Sequence, residues 1–413
     1  MKTFSAIPDD ARLRLQQIGP VDLIVGIPSF NNETTIGHVI RMAADGMVKY
    51  FPNLKPLIVN SDGGSSDNTR QVAVNTEVPG PVQVISFVYQ GIPGKGTALK
   101  AVFEAVEHLG ATACIVLDSD LRSISPEWIE LLGSPAINEG YDYVAPLYIR
   151  HKYDGTITNN LAYPLTRALY GLSVRQPIGG DFGIGGRLAS HYLGKDVWQT
   201  DVARFGIDIF MTTVAINEGF RICQSELGTK IHDVKDPAAT LGPMFVQVLG
   251  TLFALMGTYQ ERWQHVQGSK PTPIYGSKKE VEPEPITVTV GAMIDKFKAG
   301  AQTFENLWSR VLGSQNFQEI TDLARREGNQ FSFPVNLWAR VVYDFAAAYD
   351  NAGQLGLKNE DVVSALTPLY YGRTASVVIE ASDMDSRQFE QLVEAQARVF
   401  EREKPYLVTR WNA

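Results

Sequence analysis

Between Val21 and Asp120, four short apolar runs alternate with stretches of helical spacing. The runs are Val21–Ile27, Pro56–Val59, Val82–Val88 and the stretch from Ala113 to Leu117. Segments this rich in Val and Ile, uncharged but for Asp22, read as strands buried on both faces. Between them, apolar residues recur at three- and four-residue intervals, as at Ile36, Val39, Ile40, Ala43 and Met47. Strand and helix in strict alternation over about a hundred residues predict a mainly parallel sheet with helices on both faces. That fold class fixes where to look for chemistry, because ligands of open α/β sheets sit beyond the carboxyl ends of the strands.

Each of these ends is polar. The first strand runs into Pro28-Ser29-Phe30-Asn31-Asn32-Glu33 and the second into Asn60-Ser61-Asp62-Gly63-Gly64-Ser65-Ser66-Asp67. The third is followed by Gly91-Ile92-Pro93-Gly94-Lys95-Gly96, and the fourth stops at Asp118-Ser119-Asp120. An isolated Asp-x-Asp also occurs as a plain polar turn. Here two hard carboxylates share one side of an extended chain, which suits Mg²⁺ or Mn²⁺ holding a diphosphate. Asp62 reads either as an acceptor for base or ribose donors or as an Asx turn. Lys95, held among glycines at a helix start, reads as a cation for a phosphate or a donor hydroxyl. The glycine loop lacks the spacing of a nucleotide-triphosphate P-loop.

The net charge of −8 argues against a general nucleic-acid binder. Cys114 and Cys223 lie in apolar segments, so no disulfide framework is expected, and a reducing, cytoplasmic setting is the default. The start of the chain shows no signal-peptide pattern. The uncharged stretch from Pro237 to Tyr259 is broken by Gly242, Pro243, Gln247 and Gly250, and reads as a buried or subunit-interface helix rather than a stable membrane insertion. From Ile286 onward the pattern is mainly helical. A catalytic α/β domain over 1–240, with halves at about 20–122 and 140–240, and a helical region over 241–413 are therefore expected. Apolar faces in the latter suggest packing on the core or a homodimer.

Taken in order, the four strand-end motifs resemble the nucleotide-sugar half of a GT-A glycosyltransferase of the family 2 type. The resemblance covers roughly residues 20–240. It implies that Pro28, Phe30, Asn31 and Glu33, with Asp62 and Gly63, hold the nucleoside of an NDP-sugar (GDP- or UDP-hexose). Lys95, Asp118 and Ser119 then lie along the donor, and Asp120 is the direct metal ligand. Further on, Arg175-Gln176-Pro177-Ile178-Gly179-Gly180-Asp181-Phe182-Gly183 resembles the Gln-Pro-x-x-Gly-Glu segment of the retaining glucosyl-3-phosphoglycerate, glucosylglycerate and mannosylglycerate synthases, with Asp181 in place of Glu. Gly206-Ile207-Asp208 resembles their acidic helix start, again with Asp for Glu. In that frame His232 completes the metal site.

These likenesses imply transfer of glucose or mannose to a small acid such as glycerate, 3-phosphoglycerate or a glycosylglycerate. Asp118, Asp120, Asp181 and Asp208 are the expected catalytic residues. The acceptor is expected near Arg150, Lys152, Thr158, Asn159, Asn160, Arg167 and Gly180, whose cations can receive a carboxylate or phosphate. Gly155-Thr156-Ile157-Thr158 stands where the phosphoglycerate enzymes carry a glycine-rich turn with Arg-x-Thr, which leaves an unphosphorylated acceptor open. Three other readings fit parts of the sequence. They are an inverting transferase on a polysaccharide or lipid-linked acceptor with Asp181 as base, a non-catalytic nucleotide-sugar binder, and a nucleotidyltransferase, which the first turn does not favour.

Overall fold

The computed structural model describes residues 4–232, 237–277, 283–326 and 330–413. Its strands are β1 (Leu23–Ser29), β2 (Pro56–Asp62), β3 (Gln83–Val88), β4 (Ala113–Val116), β5 (Tyr143–Ile149), β6 (Leu172–Ser173), β7 (Phe182–Gly185), β8 (Ile222–Thr229), β9 (Lys270–Pro271) and β10 (Ile274–Tyr275). Eight of them form one sheet in the order β10-β8-β5-β7-β4-β1-β2-β3. All its pairings are parallel except those of β7, which runs antiparallel between β4 and β5. This is the α/β architecture that the alternating pattern predicts.

Every residue of β1 and β2 is buried, as their uncharged runs require. On one face the helices Ile36–Tyr50 and Pro126–Asn138 close a core around Val25, Ile27, Ile40, Ile115, Trp128 and Ile129. On the other, the helix Lys95–Leu109 lies so close to β1 that a Cβ on Gly26 would meet a Val102 methyl at 2.4 Å. Asn60, buried near the end of β2, is satisfied internally: it donates to Ile27 O and Ser29 Oγ, and Ser86 Oγ donates to Asn60 Oδ1 at 2.7 Å.

The chain divides into two compact units. The sheet unit comprises Met1–Ile149, Arg175–Val234 and Thr272–Pro283; the helical unit comprises Arg150–Val174, Lys235–Pro271 and Glu284–Ala413. This corrects a single cut near 240. Residues 150–174 join the helical unit because the helix Tyr163–Tyr170 is pinned to the helix Ser386–Trp411. Arg167 binds Glu394 at 2.5 Å and Glu401 at 2.8 Å, and the Tyr163 hydroxyl donates to Glu394. Residues 272–283 join the sheet unit because β10 pairs with β8 at its edge. The helix Asn359–Glu380 continues through Pro368. The uncharged helix Pro237–Thr258 lies within the helical unit, and no helix of the described residues is long and apolar enough to cross a membrane.

Candidate active site at the carboxyl ends of the sheet

The first two polar turns are knitted together. Asn31 has φ +56°, the one non-glycine in the left-handed region among the described residues; its Oδ1 accepts from Ser66 N at 2.9 Å. Glu33 Oε2 accepts from Asn68 N at 2.9 Å, and Asn32 N donates to Thr69 Oγ1 at 2.7 Å. Asp62 is fully buried. Its oxygens accept from Ser29 Oγ, Gly64 N, Ser65 N and Ser65 Oγ at 2.6–2.9 Å. Both oxygens serve the turn, so the Asx-turn reading describes this carboxylate. Pro28 lies inside β1 opposite Ser61. Phe30 is 60% exposed, and Asn31 and Glu33 near it are exposed as well. Phe30 lies beside Gly63, where a Cβ would come within 3.2 Å of its ring. Ser119 is buried, and its hydroxyl donates to Asn32 Oδ1 at 2.8 Å, which joins the first turn to the fourth.

A second cluster forms where β4, β5 and β8 end and β7 begins. Because β7 is antiparallel, Phe182 pairs with Val116, and Asp181 just before it falls beside Asp118. The backbone N–H of Asp118 donates to Asp181 Oδ1 at 2.8 Å. Lys230, one residue beyond β8, inserts between the two carboxylates. Its Nζ lies 2.8 Å from Asp118 Oδ2 and 2.8 Å from Asp181 Oδ2. The Tyr148 hydroxyl, at the end of β5, also donates to Asp181 Oδ2. Lys95 approaches from the other side, 2.9 Å from Asp118 Oδ1 and 3.2 Å from Asp208 Oδ1. Asp208 stands in the first turn of the helix Ile207–Asn217, where the helix dipole favours a carboxylate.

Three carboxylates and two ammoniums thus share one cluster. A lysine at the first position of a helix, as Lys95 is, is opposed by the dipole, and the facing carboxylates offset this. Burial would lower its pKa, but Asp118, Asp208 and Asp181 outweigh burial and hold it above the ordinary lysine range. Burial would raise the pKa of Asp118, yet Lys230 and Lys95 hold it well below the usual carboxylate range. For Asp208 burial prevails over the pull of Lys95, and with the Asp118 charge nearby its pKa is raised. Asp118 is therefore a fixed anion, and Asp208 is the carboxylate more readily protonated.

Backbone spacing around the cluster leaves no slack. Gly180, with φ +93°, is so near that a Cβ would fall 2.1 Å from Asp118 Oδ2. Gly96 N donates to Arg204 O at 3.0 Å, and a Cβ there would meet Val202 O at 1.8 Å. The glycines beside Lys95 thus admit the segment that leads to Asp208.

His232 is brought to the fourth turn. It forms an isolated antiparallel bridge with Leu121, the residue after Asp120. Arg122 N donates to Ile231 O at 2.9 Å, and Ile231 N donates to Ser123 Oγ at 2.9 Å. Among the described residues no three His, Cys, Asp or Glu side chains gather in a metal-holding group. Asp233, beside His232, lies outside the described residues.

The expected acceptor residues divide. Gly180 is in the cluster just described. Arg150, Lys152, Thr158, Asn159, Asn160 and Arg167 belong to the helical unit, and several are committed within it. Lys152 Nζ caps the helix Asn359–Glu380, donating to the carbonyls of Ala381, Ser382 and Met384 at 2.7–2.9 Å. Arg150 pairs with Asp154 at 3.1 Å. Asn159 and Asn160 are held by Gln396, and Thr158 is buried. With Arg167 bound to two glutamates, this stretch is described as an internal seam rather than an open cation patch. Sequence reasoning assigned no role to Lys230 or Tyr148. One signal was present for Lys230: it stands two positions before His232, and alternate residues of an extended chain share a side.

The profile of glycosyl transferase family 2 matches residues 24–182, which span β1 to the first residue of β7. No curated protein matches the sequence. Among solved structures, glucosyl-3-phosphoglycerate synthase from Mycobacterium tuberculosis is similar in several complexes. In the complex with Mn²⁺, UDP and phosphoglyceric acid, identity is 24% over 59% of this chain and 82% of that one, with a TM-score of 0.46. In the complex with Mg²⁺ and UDP, identity is 24% over 62% and 86%, with a TM-score of 0.45. Residues 24–182 carry the glycosyl transferase family 2 pattern, and they do so on a mainly parallel sheet.

Proposed function

We propose that the sheet unit transfers a hexosyl group, glucose or mannose, from an NDP-sugar to a hydroxyl of a small acid, with Mg²⁺ or Mn²⁺ as cofactor and with retention at the anomeric carbon. The observation that carries this reading is the Leu121–His232 bridge, which brings the backbone at His232 alongside the turn that holds Asp118-Ser119-Asp120. Two protein ligands, Asp120 and His232, fit a dication whose remaining positions come from diphosphate oxygens and water, the usual arrangement for Mg²⁺ on a nucleotide. When bound, the dication neutralises charge that develops on the leaving diphosphate.

The chain's own residues do the rest. The turns at Asn31–Glu33 and Asp62–Asp67 give the nucleoside a rigid seat, with Phe30 as its exposed apolar surface. Lys95 places an ammonium at the diphosphate side. Asp118, kept ionised by two lysines, and Asp208 on its helix start face the sugar and the acceptor. No protein nucleophile is required if the acceptor hydroxyl attacks from the face of the leaving group and its proton passes to a diphosphate oxygen. An inverting transfer with Asp181 as base is disfavoured, since Asp181 is fully buried with both oxygens taken. The small acidic acceptor rests on the likeness of the Arg175–Gly183 segment to the glycerate-type synthases.

Product analysis by NMR tests this. Incubation with UDP-glucose, GDP-glucose or GDP-mannose, with Mn²⁺, and with glycerate or 3-phosphoglycerate is expected to give one new anomeric signal of the donor's own configuration. An inverted anomer, or transfer to neutral sugars alone, would contradict the reading.

A further inference from the structure

We propose that Lys230 is a positioning residue for Lys95: by gripping one oxygen of Asp118 it holds the other toward the Lys95 ammonium. This rests on the reading above in which Lys95 serves the diphosphate of the donor.

Two shared partners yoke the lysines. Asp118 Oδ2 lies 2.8 Å from Lys230 Nζ, and Asp118 Oδ1 lies 2.9 Å from Lys95 Nζ. The Gly179-Gly180 backbone repeats the division: Gly179 O accepts from Lys230 at 3.0 Å and Gly180 O accepts from Lys95 at 3.4 Å. Lys230 is the fixed end of this yoke. Its side chain is 3% exposed, and its Nζ also meets the fully buried Asp181 Oδ2 at 2.8 Å. Lys95 is the more open end, and its other carboxylate partner is Asp208 Oδ1 at 3.2 Å.

The backbone alone does not decide where the Asp118 oxygens point. Asp181 Oδ1 accepts from the Asp118 N–H at 2.8 Å, which fixes the main chain there. The terminal torsion of a carboxylate is nonetheless broad and two-fold. An ammonium on Oδ2 that is also held by Asp181 and Gly179 removes that freedom, because shifting it strands two carboxylates. Oδ1 then stands as a fixed acceptor, and the flexible four-carbon stem of Lys95 ends at one place. Without Lys230, Asp118 can turn, and Asp208 draws the Lys95 ammonium toward the start of the helix Ile207–Asn217.

The test is calorimetric titration of the full chain, with Mg²⁺ present, by UDP and by uridine. Where GDP binds more tightly, GDP and guanosine take their place. Thermal melting checks folding. Lys230→Met is expected to weaken the diphosphate by about tenfold or more, the worth of a hydrogen bond to a charged group, and to leave the nucleoside unchanged. Lys95→Met is expected to do the same, and Lys230→Met/Lys95→Met to be no worse than Lys95→Met. Lys230→Met/Asp181→Asn keeps the net charge of the cluster and carries the test if Lys230→Met alone does not fold. It is expected to bind the diphosphate as weakly as Lys230→Met, whereas a lysine that only balanced charge would be dispensable in it. Unweakened diphosphate binding in either folded variant, equal loss of the nucleoside, or losses that add in Lys230→Met/Lys95→Met would overturn the proposal alone. If Lys95→Met binds the diphosphate as the unaltered protein does, or the unaltered protein binds neither diphosphate, the donor reading falls and the proposal with it.

Discussion

Replacing Asp120 by alanine is expected to lower the rate of sugar transfer by about a thousandfold, with the fold unchanged. The reasoning is electrostatic. A leaving diphosphate gathers negative charge, and removing one fixed element that stabilises such charge costs about 2.7–4 kcal/mol, or about 10²–10³ in rate. Asp120 adds a further factor because the proposed dication has only one other protein ligand, His232. Structure is spared because the turn is held by neighbours: Thr35 Oγ1 donates to Ser119 O at 2.8 Å, and Ser119 Oγ donates to Asn32. Steady-state rates with Mn²⁺, alongside thermal melts, check this. A rate within about tenfold of the unaltered protein would contradict the assigned role.

Gly180→Ala is expected to have the next largest effect. The residue has φ +93°, where an L side chain costs about 1–3 kcal/mol. A Cβ there would also sit 2.1 Å from Asp118 Oδ2 and 3.0 Å from Lys230 Nζ. Lys230 is buried, Asp118 is half-buried, and both are ion-paired, so neither has an easy way to yield. Displacing Asp118 disturbs Lys95 and Lys230 together. Transfer should fall at least about a hundredfold, since displacements on the order of 1 Å at a reacting centre already cost that much, and the melting temperature should drop. Near-normal turnover in the alanine variant would show that the Asp118 geometry does not matter.

The sheet was legible in the sequence because its strands are buried on both faces. Leu23–Ile27 and the stretch from Ala113 to Leu117 carry no charge, as strands shielded from water require, and the observed β1 and β4 are buried throughout. Their polar ends were legible for the same reason: Asp62, Lys95 and Asp118 mark where each strand or helix meets the ligand side of the sheet. The division into units was not legible. Lys152 and Arg167 look alike whether they face an acceptor or bind within a helical unit, and only the fold reveals the carbonyls of Ala381, Ser382 and Met384 as partners of the first and Glu394 and Glu401 as partners of the second. Lys230 was overlooked because a single lysine after a strand looks solvated, and nothing local announces the two carboxylates that enclose it. Asp62 was read two ways, and its burial with four protein donors is the part that only coordinates supply.

Crystals grown with Mn²⁺ and a nucleoside diphosphate give the most direct test. An anomalous difference map should place one Mn²⁺ within roughly 2–2.3 Å of an Asp120 carboxylate oxygen and of a His232 ring nitrogen, with diphosphate oxygens completing its shell. An ion bound elsewhere, or a diphosphate seated without one, would contradict the account.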